Sequence, residues 1–352
     1  MKQSSTTVQE IIKEAKRGKM FILVDNKDRE NEGDLVIPAS KINAKKINFM
    51  AKHGRGLICL ALTQEKVKKL KLPLMSLINK SRTQTAFTVS IEAKKGISTG
   101  ISAYDRAKTI KVAIKNSSGS RDIVSPGHVF PLVSKNGGVL ERAGHTEASV
   151  DISKLAKLNP SAVICEVMNE DGTMARYNDL VPFSKKHNLK IAKIEDLISY
   201  RLKNEKFIKM ISNKKINIKR FGNYDLKVFK NKLDGAEHYA VTSKNFSYRK
   251  SPRVRVISTN FINTIFNFKN NIFKSTLNYL SKFNNFALII VKSQSHTKNS
   301  KENSKILRYY GVGAQIIKEL KIKNMILVSR SKKRIIALRG YGIEITKQEI
   351  IK

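Results

Sequence analysis

The chain's 352 residues carry 68 Lys and Arg against 28 Asp and Glu, a formal net charge of +40, with 41% apolar side chains. That apolar share builds real cores and excludes a disordered tail, and the length suits two domains of ordinary size better than one. No apolar run approaches the roughly eighteen residues of a membrane helix, and Cys59 and Cys165, the two cysteines, both fall in apolar strand-like runs, so neither a membrane protein nor a disulfide framework is expected.

The opening Met1-Lys-Gln-Ser-Ser-Thr-Thr lacks the apolar stretch of a secretory signal, and the expected setting is reducing and cytoplasmic. Residues 7–18 read as a helix: Thr7 and Glu10 make a capping box, Ile11 and Ile12 face inward, and Gly18 stops it. Residues 20–25 form a short apolar strand ending in acid, residues 26–33 are almost wholly charged or polar, and residues 35–37 form the next strand. Further strands are predicted at 56–62, 87–92, 129–133 and 162–167, and helices at 44–52, 103–114, 147–158, 179–186 and 194–201. Strands and helices alternating at this spacing predict an α/β domain with a mixed sheet. Residues 203–216, rich in Lys and Asn, read as a connector, which divides the chain into domains 1–203 and 204–352.

Residues 25–34 hold five acids and two bases, between two strands that pin the loop, and Gly33 permits a tight turn. Convergent carboxylates hold a hard divalent cation and supply a base, and Arg29 suits a phosphate or an enediolate. Two more polar segments interrupt apolar sequence. Pro126-Gly-His-Val-Phe-Pro131 places an imidazole between a Pro-Gly turn and a strand, and Arg142-Ala-Gly-His-Thr-Glu147 surrounds a small-residue turn that opens a helix. Amides at such a helix start favour an anion. The residues alone point to a metal-assisted enzyme acting on a phosphorylated small molecule.

Taken in order, Asp28-Arg-Glu-Asn-Glu-Gly-Asp34, Thr99-Gly-Ile-Ser-Ala-Tyr-Asp-Arg106, the two segments above and Asn169-Glu-Asp-Gly-Thr-Met-Ala-Arg176 resemble the signature of 3,4-dihydroxy-2-butanone 4-phosphate synthase, a likeness that runs through about residue 200. The resemblance implies a lyase that converts ribulose 5-phosphate to the four-carbon phosphate and formate, with Mg2+ or Mn2+ as cofactor. It implies Glu30 and His145 as metal ligands. Arg29, Glu30 and Asp34 match substrate contacts, Arg142, Ala143, Gly144, His145 and Thr146 match the segment that cradles the substrate and its phosphate, and His128 and Glu166 match positions required for catalysis. Any of Glu30, Asp34, His128 and Glu166 can take the first proton. Residues 76–85 correspond to the family's mobile loop, a lid over the site. Cys59 lies near the site in family members and is read as a buried structural thiol. Family members are homodimers with active sites near the subunit interface, so a homodimer is expected.

The second half resembles GTP cyclohydrolase II at Asp234-Gly-Ala-Glu-His238, Arg253-Val-Arg-Val-Ile-Ser258, Arg308-Tyr-Tyr-Gly-Val-Gly-Ala-Gln-Ile316 and Gly340-Tyr-Gly-Ile-Glu344. That family's three zinc cysteines fall here at about Asn260, Asn271 and Phe273, and its Gly-Arg-Gly segment is missing, with a polar insert at 292–305 in its place. No zinc is expected. A degenerate, smaller α/β (α+β) domain kept as a scaffold is favoured over relaxed selection, and a bifunctional enzyme that still opens GTP is the alternative. Residues 201–352 hold 34 Lys and Arg and 8 Asp and Glu, a net of +26. The basic residues are scattered between apolar positions and lack aromatic interleaving, so compositional bias is preferred to nucleic-acid binding.

Overall fold

The computed structural model describes residues 6–26, 29–76, 78–83, 85–259, 272–292, 302–331 and 342–351. They divide into two units, Met1–Tyr200 and Arg201–Lys352. Among the described residues no helix is long and apolar enough to cross a membrane.

In the first unit, helix α1 (Val8–Lys16) begins with the expected capping box: Thr7 Oγ1 accepts from the Glu10 amide at 3.3 Å, and Glu10 Oε2 accepts from the Thr7 amide at 2.9 Å. Strands β1 (Phe21–Val24) and β2 (Gly33–Pro38) are antiparallel neighbours joined by the acidic loop. With β3 (Cys59–Leu62), β4 (Ile91–Ala93), β5 (Ile123–Val133), β6 (Ala162–Glu166) and β7 (Lys190–Lys193) they form a sheet ordered β4-β5-β3-β6-β2-β1-β7. The β1/β7 and β3/β5 pairs are parallel and the others antiparallel, which is the mixed sheet the alternation predicts.

Alternate side chains of the strands serve two cores. Ile22, Val24, Leu35, Ile37, Leu60, Leu62 and Cys165 join one cluster with Ile47 of α2 (Ala44–Phe49) and with Ala107 and Ile110 of α4 (Ala103–Ile114). Against β1, β2, β3 and β6 packs α5 (His145–Leu155), almost wholly buried. Burial on both faces is why these strands read as unbroken apolar runs. Short α3 (Gln64–Lys69) follows β3, while α6 (Tyr177–Lys186) and α7 (Ile194–Asn204) close the unit, whose boundary falls within α7.

Several elements differ from the expectation. Of residues 87–92, only the end joins β4; Phe87 makes an isolated bridge to Leu132, and the Thr88 amide bonds to Pro131 O, so this stretch is held without a regular ladder. The helix expected at 147–158 starts at His145 because Gly144 is its N-cap, and it ends at Leu155, before Lys157 turns left-handed. The connector expected at 203–216 is largely strand, β8 (Ile208–Ile218), an edge strand whose lysines face solvent.

The second unit holds β9 (Gly222–Asn231), β10 (Glu237–Ser243), β11 (Arg253–Thr259), β12 (Phe286–Lys292), β13 (Asn324–Ser329) and β14 (Glu344–Ile350) in a sheet ordered β14-β13-β11-β12-β10-β9-β8. The four strands from β11 to β14 pair in parallel, and β8, β9, β10 and β12 pair antiparallel. Helix α8 (Ile272–Leu280) sends Leu277 and Leu280 into a core with Val241, Ile257, Phe286 and Leu288. Helix α9 (Glu302–Glu319) lies against β8 and β12, where Gln315 Oε1 accepts from the Phe207 amide at 3.1 Å.

Candidate active site

Strand β1 leads into Asp25, which is buried. Its carboxylate organises the loop that follows: Oδ2 accepts from the Glu30 amide at 3.1 Å and from Arg29 Nη1 at 2.9 Å, and Oδ1 accepts from the Glu32 amide at 2.9 Å. Three successive loop carbonyls are taken by arginines from elsewhere. Arg82 Nη2 donates to Arg29 O at 2.8 Å, and Arg176 Nη1 donates to Glu30 O at 2.6 Å and Asn31 O at 2.9 Å. Arg29 also bonds the Glu30 carboxylate directly. The loop is thus held through its amides, its carbonyls and a left-handed Asn31 at φ 57°.

The loop delivers Glu30 to the start of α5, where His145 is buried. His145 Nδ1 stands 3.7 Å from Asp34 Oδ1 and 3.9 Å from Glu30 Oε2, beyond hydrogen-bond range, and the buried Nε2 has no hydrogen-bond partner. Burial lowers this imidazole to about 4 against the opposing pull of Asp25, which keeps it neutral and able to act as a ligand. Asp25, Glu30 and His145 each offer a ligand atom, all within 4.8 Å of one another. Carboxylates with an imidazole fit Mg2+ or Mn2+, which complete their shells with water or substrate oxygens.

Beside this trio the β2–β6 register sets Asp34 opposite Glu166. Both carboxyls are raised above their ordinary range, chiefly by burial; Glu166 adds to the rise of Asp34, which is the larger. Two carboxylates on adjacent strands resist ionising together, which favours a shared proton between them. Glu166 Oε2 accepts from the Leu57 amide at 2.9 Å. Cys59 is raised well above its usual value by burial and by Glu166 and Asp34, so it is an inert thiol at neutral pH.

The segment 142–146 opens α5. A Cβ at Gly144 would stand 2.4 Å from Arg142 Nη1, so a larger residue there would push that guanidinium aside. Arg142 Nη1 donates to Glu147 Oε2 at 2.7 Å, while Nη2 donates to Thr83 O at 3.0 Å and Thr85 Oγ1 at 2.9 Å. Residues 78–83 and Thr85, in the segment read as a lid, are therefore tied to α5 through Arg142 and to the acidic loop through Arg82. Leu77 and Gln84 of that segment lie outside the described residues. Thr146 is buried on the first turn of α5, and Ala143 is partly buried before it.

The structure brings together Arg29, Glu30, Asp34, His145 and Glu166, with Arg142 and Thr146 alongside at the start of α5. His128 has a carboxylate partner of its own. It lies within β5, bonded through Nδ1 to Glu92, whose carboxylate fits only because position 100 is glycine. Cys59 of β3 pairs with Phe130 of β5 on one side and with Ile164 of β6 on the other, so the strands that carry His128 and Glu166 flank the same central strand. Sequence reasoning missed Asp25, which it counted among the acids but gave no role. An acid at the very end of an apolar strand was the available signal. Arg82 and Arg176 were also missed as organisers, because their contacts join segments far apart in the chain.

Known proteins resemble the chain along nearly its whole length. The family described as 3,4-dihydroxy-2-butanone 4-phosphate synthase matches residues 9–200, and the one described as GTP cyclohydrolase II matches residues 274–349. The riboflavin biosynthesis protein RibBA of Aquifex aeolicus is 42% identical over 98% of this chain and 92% of its own. A 3,4-dihydroxy-2-butanone 4-phosphate synthase of Helicobacter pylori is 42% identical over 97% of both chains. Among solved structures, RibBX from A. baumannii, described as a two-domain 3,4-dihydroxy-2-butanone 4-phosphate synthase, is similar with a TM-score of 0.85 at 38% identity, covering 99% of each chain. A synthase in complex with two magnesium ions matches 56% of this chain and 98% of its own with a TM-score of 0.54 at 36% identity.

Proposed function

The chain belongs to the 3,4-dihydroxy-2-butanone 4-phosphate synthase family of riboflavin biosynthesis, and we propose that it turns D-ribulose 5-phosphate into L-3,4-dihydroxy-2-butanone 4-phosphate and formate at the cluster around Glu30, Asp34, His145 and Glu166. The observation that carries this reading is the buried imidazole of His145, with ligand atoms of Asp25 and Glu30 gathered within 4.8 Å.

Magnesium is the family's cofactor, and Glu30 and His145, joined by Asp25, are the residues that would hold it. When bound, such a cation polarises the substrate carbonyl and offsets enediolate charge. The chain's own groups do the rest. Asp34 and Glu166, one protonated and one ionised, take the proton beside the carbonyl and return one to the departing hydroxyl. Arg29 fixes the enediolate end, and Arg142, Ala143, Gly144, His145 and Thr146 present side chains and helix-start amides to the substrate and its phosphate.

His128, oriented by Glu92, serves as a further proton carrier. Leu57, Ile101, Tyr104 and Val124 of the first unit are exposed large apolar side chains, Tyr104 by 65%. Exposed apolar side chains of this size favour the homodimer expected of the family. The synthase occupies residues 1–203 and the protein works in the cytoplasm.

We assign no GTP hydrolysis to residues 204–352. Both cysteines lie in the first unit, and Phe273, at one of the expected zinc positions, is partly buried against the second unit's core. Asn260, Asn271 and most of the polar insert lie outside the described residues. The name RibBA carried by some relatives favours the alternative of a second active site. Zinc content of the purified chain separates them, since stoichiometric zinc would support a working cyclohydrolase.

The direct test follows formate release from ribulose 5-phosphate with magnesium, beside a Glu30→Gln control. Formate from wild type and none from the control supports the assignment. A folded, magnesium-supplied wild type that releases none overturns it.

A further inference from the structure

The metal-binding carboxylate proposed above sits on a loop, and a loop holds a side chain only as well as its backbone is held. Asp25 secures the amides of Glu30 and Glu32 from inside. The carbonyls of Glu30 and Asn31 both go to a single nitrogen, Arg176 Nη1, at 2.6 and 2.9 Å, so its two hydrogens are matched to two successive peptide groups. The same nitrogen lies 3.6 Å from Glu32 Oε1.

Arg176 is itself firmly placed. After Glu166, at the end of β6, the chain makes a hairpin in which the Asn169 amide donates to Thr173 O at 2.7 Å and the Ala175 amide returns to Val167 O at 3.0 Å. Gly172 turns it at φ 84°, and the Arg176 amide then donates to Asp179 Oδ2 at 2.8 Å at the start of α6. The polar segment 169–176 serves this placement. It reverses the chain so that one guanidinium reaches the acidic loop.

We infer that Arg176 is a positioning residue for the divalent-cation site: by holding the Glu30–Asn31 and Asn31–Glu32 peptide groups, on either side of Asn31, it fixes the direction of the Glu30 carboxylate. The inference rests on the metal-site reading given above. A guanidinium spans two carbonyls with one planar nitrogen, whereas a lysine ammonium on a flexible stem does not hold them in one plane. The loss is expected in cation affinity rather than in substrate affinity once the cation saturates, because no contact of Arg176 with the Arg142–Thr146 segment is present among the described residues.

The test uses the full chain as wild type, Arg176→Ala, Arg176→Lys and Glu30→Gln. Mn2+ binding is read by the loss of its free-ion paramagnetic resonance signal, and Mg2+ half-saturation and the ribulose 5-phosphate KM by formate release. Losing charge-assisted bonds of this kind is expected to weaken cation binding by about tenfold in Arg176→Ala, with a smaller loss in Arg176→Lys and a KM within about twofold of wild type at saturating Mg2+. Ethylguanidinium added to Arg176→Ala restores part of the cation affinity. Thermal melting confirms that each variant is folded, and Arg176→Lys carries the comparison should Arg176→Ala fail that check. Wild-type cation binding in folded Arg176 variants, with binding lost in Glu30→Gln, overturns the role of Arg176 alone. Wild-type binding in Glu30→Gln overturns the metal-site reading and this inference with it.

Discussion

Asp34 and Glu166 face each other across the β2–β6 pair, so the most strongly raised carboxyl of the site has another carboxyl as its cross-strand neighbour. Asp34→Asn and Glu166→Gln should each lower kcat by about 10²- to 10⁴-fold, the range for loss of a proton-transfer group. Because the two act as a unit, the double variant should fall little further than the worse single one. Formate release under saturating substrate measures this. Strictly multiplicative losses would show that the carboxyls act separately.

Removing the cation should abolish turnover. Dialysis against a chelator is expected to silence formate release, and Mg2+ or Mn2+ should restore it, with Zn2+ a poor substitute for a site dominated by carboxylates. Asp25→Asn should raise the Mg2+ half-saturation as Glu30→Gln does, since the same carboxylate both offers a ligand atom and secures the loop amides. A normal Mg2+ requirement in Asp25→Asn would remove Asp25 from the site.

The ties between the lid and its surroundings give a third expectation. Arg82 is exposed and bonds only a backbone carbonyl of the acidic loop among the contacts described, so Arg82→Ala should leave melting unchanged while raising the substrate KM several-fold, roughly the worth of one hydrogen bond at about 1 kcal/mol. Steady-state kinetics decides it, and an unaltered KM would mean that the lid closes without this tie.

A pH effect should come from outside the site. His53 and His187 stack with ring centroids 4.7 Å apart, and burial holds both below their ordinary 6.5, helped by Lys52 and Arg55 beside His53 and by His53 and Lys186 beside His187. A base whose folded value is depressed binds its proton more readily when unfolded. Its stabilising contribution is complete above about 6.5 and is lost as pH falls through the depressed folded value. Melting curves from about pH 7.5 to about pH 5 should therefore slope less steeply for a His53→Phe, His187→Phe double variant. Equal slopes would show that the pair titrates as it does in the unfolded chain.

In the second unit, Arg253 grips Glu349 through two bonds of 2.9 and 3.0 Å and lies 3.6 Å from the centre of the Phe283 ring, while Tyr279 donates to the same carboxylate at 2.9 Å. Glu349→Gln should cost about 1–3 kcal/mol, lower the melting point of that unit and leave formate release intact. Lost synthase activity would instead tie the second unit directly to catalysis.

The sequence reading worked where physics writes locally. The β1, β2, β3 and β6 runs are unbroken and apolar because both faces are covered, and the Thr7–Glu10 cap lies within four residues. It failed at edges. Residues 208–218 look like a linker because an edge strand shows its lysines to water, and Lys190–Lys193 alternates too briefly to stand out. The site divides in the same way. Glu30, Asp34, His145 and Glu166 belong to recognisable segments, but the Asp34–Glu166 pairing exists only once β2 and β6 are in register. The grip of Arg176 on Glu30 joins residues 146 positions apart.

The double anchoring of the acidic loop has a consequence for its tolerance of length change. With Asp25 fixed after β1, Gly33 at the start of β2, and the amides and carbonyls of Arg29, Glu30, Asn31 and Glu32 each bonded to a partner, an added or deleted residue between 29 and 32 would slide Glu30 out of phase with both clamps at once. Surface loops ordinarily accept such insertions at small thermodynamic cost. Here the spacing itself is a functional trait, so that variation in this stretch should be confined to substitutions, and grafting the site onto another hairpin would require transplanting its exact residue count along with its side chains.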